Sequence, residues 1–577
     1  MLNKPPRPNR NFAKSRQRAA VHFQCLLRDT IYSFRNAVSL AINVIQERSG
    51  PNMQVFFDER QPLVWLLALI IGIFVAYFAL LFRLLIGVLQ LPWLGTMTER
   101  VWTAAAETSM LIILLTPAFG GLVVGILLQW VLPNRRALGV ADVIEARAIK
   151  GCKIPVRAGL GSALVSAVSL GFGASTGREG PVVHLGATIA SYLEDQFTLP
   201  KSARRTLLAC GVAAAVSASF NAPIAGVLFA HEVILTHYAI SAFVPIVIAS
   251  VAGTVIVRIH LGSFPAFIVP DYSITSFWEF PAFALLGLTC AAVAILFQLS
   301  LITTDRVAHN FSMPIWVRPV IGGLMIGAIA VFFPQILGVG YDTTDAALNQ
   351  QLSLELLLAL LVVKTAATSI SLASRFGGGI FSPTLFLGAM AGGAFGLIAA
   401  KAFPEIASSE GLYAMIGMGA VAAAVLGAPF STTVMVFELT GGYEITIALL
   451  LAVSISTGFS QAILGQSFFL WQLSMRGLFL KDGQHKQIVR SIHVRDFFTE
   501  LTPSEIEREL HTANPENTLK LSDTLELTLR KFDSTGDHRL PVVESEDESR
   551  LIGWADHWAA LEAMNKALIE VHVEEHH

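Results

Sequence analysis

Gly177-Arg178-Glu179-Gly180-Pro181 combines glycines, a proline and one carboxylate in a chain otherwise poor in charge. The stretch from Gly171 to Pro181 reads as a glycine-rich loop feeding a helix that starts near Pro181. Glycine lets successive backbone N–H groups turn inward together, proline suits the first helical turn, and a helix start carries partial positive charge. Such an end binds anions without a full cationic charge. The same device recurs at Gly379-Ile380-Phe381-Ser382-Pro383, preceded by Gly377 and Gly378. Both stretches read G-x-x-x-P-x-x-x-L-G-A, offset by 202 residues (379 − 177). A second echo pairs Ala222-Pro223 and Glu232 with Ala428-Pro429 and Glu438, offset by 206 residues (438 − 232). A duplication of this length and order in an apolar chain points to two related halves with a substrate site where they meet. If the halves are inverted, two positive helix ends converge on one point from opposite sides.

Glu179 is the ionisable group of the first device. A carboxylate in hydrocarbon costs about 2.5–3.5 kcal/mol on insertion scales, and a helix end returns at most about 2 kcal/mol in a partly buried site. Ionised Glu179 is therefore stable only if it occupies the anion site itself; protonated, it leaves and admits an anion. One side chain then serves as competing anion, gate and proton carrier. The same residue types also fit a plain helix cap or a pair with Arg178, and the loop alone leaves both roles open.

The elements that must hold these loops are membrane helices. Of 577 residues, 54% are hydrophobic and 14% charged, with a mean hydropathy of +0.61, where a soluble domain carries about 25% charged residues. The apolar residues gather in runs such as Leu63 to Leu81, Met110 to Leu132, Leu354 to Val363 and Ile445 to Val453. Several reach the roughly 20 residues a spanning helix needs. Others are broken by Gly or Pro, as helices lining a cavity are. The expected fold is an all-α membrane protein of tilted and broken helices with a small α+β tail. Residues 1–60 form a cytoplasmic lead-in with an amphipathic stretch, Cys25 to Ile45. Residues 61–480 form the membrane domain, in halves of about 61–262 and 276–480, and residues 481–577 form a cytoplasmic tail. Lys4, Arg7, Arg10, Lys14, Arg16 and Arg18, without an acidic residue or an apolar core, are not a signal peptide and place the N-terminus inside. A formal net charge of −2 gives no reason to expect a nucleic-acid partner. Cys25, Cys152, Cys210 and Cys290 lack the spacing of a metal site or disulfide framework, and no cofactor is expected.

In the tail, Arg539 to Val543 and Leu551 to Trp554 read as strands around the acidic turn Glu544 to Glu548, and Trp558 to Ile569 as a helix. This order, over about 518–570, resembles half of a CBS module, with His493 to Phe497 as the remnant of a preceding copy. In that family a Thr or Ser and then an Asp contact ribose. Here Asp556 and Ala559 hold those positions, which favours a structural or interaction role over nucleotide sensing.

Taken together, Gly177 to Pro181, Gly379 to Pro383 and Phe220-Asn221-Ala222-Pro223-Ile224-Ala225-Gly226 resemble the CLC family of chloride channels and chloride/proton antiporters, over most of residues 61–480. The resemblance implies an inner-membrane homodimer with both termini cytoplasmic and one pore per subunit, built from inverted repeats. By the family pattern Glu179 is the gating glutamate. The amides of Gly180, Ile380, Phe381 and Ser382, beside Arg178, line the anion sites. Pro181 after the gate resembles the chloride branch rather than the fluoride-exporting one. The chain departs from the pattern at three places. Leu138, beside Gly139 in Ala137-Leu138-Gly139-Val140-Ala141, takes the position of the family's anion-binding serine. Phe469 takes that of its tyrosine, so two hydroxyl donors are missing, each contributing about 1.5–3 kcal/mol to a charged partner. That predicts weak central chloride binding and relaxed selectivity. After Asn221-Ala222-Pro223 comes His231-Glu232-Val233, where many proton-coupled members have two glutamates. His231 or Glu232 with water are then the candidates for carrying protons.

Chloride and similar monovalent anions, and protons if transport is coupled, are the expected partners, with membrane lipid around the chain. Proton-coupled exchange and channel-like flow both stay open, as does a transport-inactive scaffold or receptor. An intramembrane enzyme lacks its usual signatures, since there is no H-E-x-x-H and no paired His/Asp array.

Overall fold

The computed structural model describes residues 60–577, apart from residues 99, 263–266, 268–269, 271, 441–442, 481–488, 490–491, 502–516, 544–550 and 577. The basic N-terminal segment with its amphipathic stretch, Cys25, part of the link between the halves, and the acidic turn of the tail lie outside the described residues.

The apolar runs fold as helices because in a bilayer every backbone N–H and C=O must be satisfied within the segment. In the first half these are α1 (Gln61–Leu94), α2 (Val101–Ala106), α3 (Met110–Trp130), α4 (Val140–Ile149), α5 (Val156–Gly171), α6 (Glu179–Glu194), α7 (Lys201–Phe220), α8 (Pro223–Phe229) and α9 (Ile240–Leu261). The second half repeats the order. It comprises α10 (Phe280–His309), α11 (Val317–Phe332), α12 (Tyr341–Leu348), α13 (Leu354–Ala373), α14 (Phe381–Ala402), α15 (Glu410–Leu426), α16 (Pro429–Thr440), α17 (Tyr443–Leu464) and α18 (Phe468–Ser474). Among the described residues, seven helices are long and apolar enough to cross a membrane. The 34 residues of α1 measure roughly 50 Å at a rise of 1.5 Å per residue, well beyond a hydrocarbon layer of about 30 Å, so α1 must tilt. Large apolar residues such as Phe119, Ile240, Phe332 and Val362 face outward, a surface suited to lipid rather than water.

Glycines let the helices of each half close on one another. A Cβ on Gly186 of α6 would lie 2.4 Å from the Gly211 carbonyl of α7, and one on Gly211 would lie 2.3 Å from that of Gly186. In the second half Gly388 of α14 and Gly417 of α15 are pressed together in the same way, at 2.3 and 2.4 Å. Neither contact accommodates a side chain, and the two glycine pairs stand at the offsets of the sequence echo.

The halves join through reciprocal bonds between equivalent residues. Gly177 N–H donates to the Gly379 carbonyl at 2.7 Å, and Gly379 N–H donates to that of Gly177 at 2.7 Å. The Glu232 carboxylate accepts from the amides of Phe430 (3.0 Å) and Ser431 (2.8 Å) at the start of α16. Glu438 accepts from Ile224 (2.9 Å) and Ala225 (2.8 Å) at the start of α8. Exchange of identical contacts is what a two-fold axis between the halves produces, and the fold is an inverted-repeat helical bundle.

Beyond α18 a four-stranded sheet orders as β1-β4-β3-β2, from β1 (Thr499–Glu500), β2 (Leu519–Lys520), β3 (Arg539–Val543) and β4 (Leu551–Asp556). β3 runs antiparallel to β4 and parallel to β2. With α19 (Leu525–Thr535) and α20 (His557–His576) it encloses a core of Val494, Leu519, Leu525, Phe532, Leu540, Val542, Ala555 and Ala560. The helix expected at 558–569 is longer in the structure, and β2 and α19 precede the two strands that the sequence indicates. The Asp556 carboxylate pairs with Arg539 at 3.0 Å.

Candidate functional site

The two glycine loops meet head on, and the junction forms the site. α6 begins at Glu179 and α14 at Phe381, beside the Gly177–Gly379 bridge. The first N–H groups of each helix have no intrahelical acceptor, so two positive ends share one small volume. Glu179 fills it, with none of its surface exposed. One carboxylate oxygen accepts from the Tyr341 hydroxyl at 2.5 Å, and the other accepts from the Ser382 hydroxyl. Arg178 Nε stands 3.6 Å from the carboxylate, with its guanidinium 4.9 Å above the Tyr341 ring and a bond to the Ser219 carbonyl. A Cβ on Gly177 would lie 3.0 Å from both the Glu179 carboxylate and the Ser382 amide, so the carboxylate and the second helix start face the same point.

A cleft of about 370 Å³ leads to this junction and ends at Gly180, Gly379, Ile380 and Phe381. Leu138, Gly139 and Phe469 line it. The Leu138 amide donates to the Ser162 hydroxyl at 3.1 Å and the Gly139 amide to the Asp142 carboxylate at 2.9 Å. Both N–H groups on this side are therefore engaged within the protein. Asp142 also forms ion pairs with Arg136 (2.6 Å) and Arg476 (2.9 Å), tying the loop before α4 to the end of α18 at the mouth of the cleft. Phe381 is buried against Phe220 and Phe229, with ring centroids at 5.1 and 5.8 Å.

His231 and Glu232 lie apart from the gate in a π-helical turn, Ala230–Leu235, that extends α8. His231 Nδ1 is 3.0 Å from the His237 carbonyl and its ring stacks on Tyr238. Glu232, cross-capping α16, also accepts from the Ser431 hydroxyl. Since Glu232 and Glu438 each cap the helix start of the opposite half, Glu232→Gln and Glu438→Gln are each expected to lower stability by about 1–3 kcal/mol, the scale of charge-assisted bonds to helix-start amides. The check is the fraction of purified protein that stays monodisperse after graded heating. A Glu232→Gln protein of unchanged stability that had lost proton movement would instead make Glu232 a proton carrier.

Tyr341 is the participant that the sequence did not single out. It begins α12 after Gly340, whose φ of +83° and the Phe386 ring 2.8 Å from its Cβ position exclude a side chain. The buried Lys364 ammonium braces this loop by donating to the carbonyls of Ile336 (3.0 Å) and Gly338 (3.1 Å). The available signal was the repeat: Gly340-Tyr341 follows Gly139-Val140 by 201 residues (341 − 140).

Comparisons with known proteins agree with this geometry. The Voltage gated chloride channel family matches residues 120–461. A putative chloride channel protein, ClcB-like, of Ralstonia nicotianae is 34% identical over 367 residues, 62% of this chain and 85% of that protein. Chloride channel protein CLC-e of Arabidopsis thaliana is 34% identical over 70% of this chain and 61% of its own length. Among solved structures, a slow cyanobacterial Cl−/H+ antiporter superposes with a TM-score of 0.64 at 20% identity, covering 73% of this chain and 99% of that one, a likeness of fold. The extent of the family match, spanning the paired glycine loops and the gate between them, shows that this chain belongs to the voltage gated chloride channel family.

Proposed function

We propose that the chain carries chloride and similar monovalent anions across a membrane, through a pathway closed by the ionised Glu179 carboxylate and opened when that carboxylate is protonated or displaced. The observation that carries the reading is the position of Glu179. A carboxylate held by two hydroxyls at the meeting point of two helix starts occupies the place of an anion, so anion and gate compete for it. Related channels and antiporters support the reading, and both exchange with protons and channel-like flow are compatible with one gating carboxylate. Arg178 and the amides of Gly180, Ile380, Phe381 and Ser382 make up the anion-facing set. Leu138, Gly139 and Phe469 line the approach, which offers an anion no hydroxyl from those three residues. The protein works as a homodimer in the bacterial inner membrane, with both termini in the cytoplasm and a tail of structural or interaction role.

The test is flux from proteoliposomes. Chloride efflux is expected to exceed the protein-free control and to rise as pH falls. Efflux equal to the control would leave only the scaffold reading. Uphill proton movement under an imposed chloride gradient would assign exchange, and fast chloride flow without it a channel.

A further inference from the structure

The cleft reaches Gly379 of the Gly177–Gly379 bridge, and neither Tyr341 nor Ser382 lines it. Their hydroxyls are the side-chain donors to Glu179, one to each carboxylate oxygen. By the repeat, Tyr341 is the counterpart of Val140, which directly follows Leu138-Gly139. The second half thus presents a hydroxyl where the first half presents aliphatic side chains. The Tyr341 ring is fixed independently of that hydroxyl, by an edge contact with Phe267 at 5.1 Å and by the Arg178 guanidinium. Its hydroxyl is therefore aimed at the junction whether or not the carboxylate is there.

We infer that Tyr341 and Ser382 are the specificity-determining donors of the anion site: their hydroxyls hold the Glu179 carboxylate when the gate is shut and pass to the transported anion when it leaves. The inference rests on the anion-transport reading above. Hydroxyl donors missing from the cleft lining are supplied at the gate itself. Two aimed O–H groups favour a compact anion that accepts strong hydrogen bonds, such as chloride, over a large, weakly accepting one such as thiocyanate. A site built to hydrogen-bond its substrate discriminates through the donors left unpaired by a poor acceptor.

Several charged groups stand near Glu179 and Tyr341. Arg178 lies beside the carboxylate just before α6, and Arg83 on α1 lines a small cavity together with Arg178. Asp342, next to Tyr341, is engaged by the amides of Trp102 (2.6 Å) and Thr103 (3.4 Å), and Lys364 by the two loop carbonyls. None of these changes in Tyr341→Phe, which removes one oxygen and keeps the ring. The ionised gate loses a donor, so the pH of half-maximal transport is expected to rise by about one unit, the value of a weak charge-assisted bond. The anion loses the same donor, so at a pH low enough to keep the gate protonated and out of competition the chloride concentration for half-maximal flux is expected to rise about tenfold, while that for thiocyanate changes less than about twofold. Ser382→Ala is expected to behave likewise, and Ser382→Thr, which keeps a hydroxyl, to restore chloride preference. A purely structural lesion would weaken both anions alike and would not be rescued by Thr.

The experiment measures chloride and thiocyanate flux as functions of concentration and pH in proteoliposomes of the full chain and the three variants. Equal weakening of both anions, or Tyr341→Phe and Ser382→Ala matching the unsubstituted chain, overturns the inference and leaves the transport reading intact. An unsubstituted chain that moves neither anion above the protein-free control overturns the transport reading, and the inference with it.

Discussion

Glu179→Gln is expected to flatten the pH dependence of anion flux to less than about twofold over about pH 5–8, and to abolish any coupled proton movement. The carboxylate is held by two hydroxyls where the starts of α6 and α14 converge. Each bond to a charged acceptor contributes about 1.5–3 kcal/mol and loses about half of that when the acceptor is neutral. Glutamine has the same shape and can still accept, but it competes with an anion far less well. Anion binding is therefore expected to tighten by about 10–100-fold, the equivalent of 1.4–2.7 kcal/mol. Arg178 strengthens the contrast, since its guanidinium, 3.6 Å from the carboxylate, is left facing a neutral group until an anion arrives. Flux and isothermal titration on the same preparation check both parts. A variant that keeps the full pH dependence of the unsubstituted chain would show that another group does the gating. One that binds anions no more tightly would show that the carboxylate does not compete for the site.

How far the sequence revealed this arrangement depended on how literally each feature repeats. The glycine loops repeat almost letter for letter, because backbone amides can converge only where no side chain intervenes, and so the two helix starts and Glu179 were legible. The run from Leu354 to Val363 is apolar and ends at Lys364, whose charge suggests a boundary. The structure carries α13 on to Ala373 and buries Lys364 under two carbonyls, a satisfaction that composition does not reveal. Glu232 is separated from its amide partners by about two hundred residues, so its cross-cap becomes visible only once the halves are folded together. Tyr341 was hidden for a related reason. It contributes a single hydroxyl, 162 residues from Glu179, and nothing in its local sequence refers to the gate. In the tail, the short apolar runs of β3 and β4 were readable, whereas the two residues of β2 are too few to show a pattern.

The three consecutive glycines before α14 make the strictest demand on the sequence, and Gly378→Ala is expected to cost about 2–6 kcal/mol by combining overpacking with a strained backbone. Gly378 has a φ of +151°, a conformation that a side chain disfavours, and a Cβ there would lie 2.1 Å from Thr176 Oγ1 and 2.4 Å from Thr176 Cβ. Thr176 cannot move aside freely, because its hydroxyl bonds to the Gly377 carbonyl and it directly precedes Gly177 of the inter-repeat bridge. On the other side of the loop a Cβ on Gly377 would lie 2.6 Å from Ser166 Oγ and 2.8 Å from Ser166 Cα, so the loop has no room to shift. Even one methyl group at Gly378 must therefore displace the Gly177–Gly379 pair and draw the start of α14 away from Glu179. Loss of stability and loss of gating are expected together, with heated samples aggregating earlier and any protein that survives conducting with a weakened pH dependence. Gly458, whose Cβ position has nothing within 4 Å, is the control: Gly458→Ala in α17 is expected to be neutral or mildly stabilising, by up to about 1 kcal/mol. A Gly378→Ala protein as heat-resistant as Gly458→Ala, with its pH dependence intact, would mean that the loops do not meet as closely as the bridge requires.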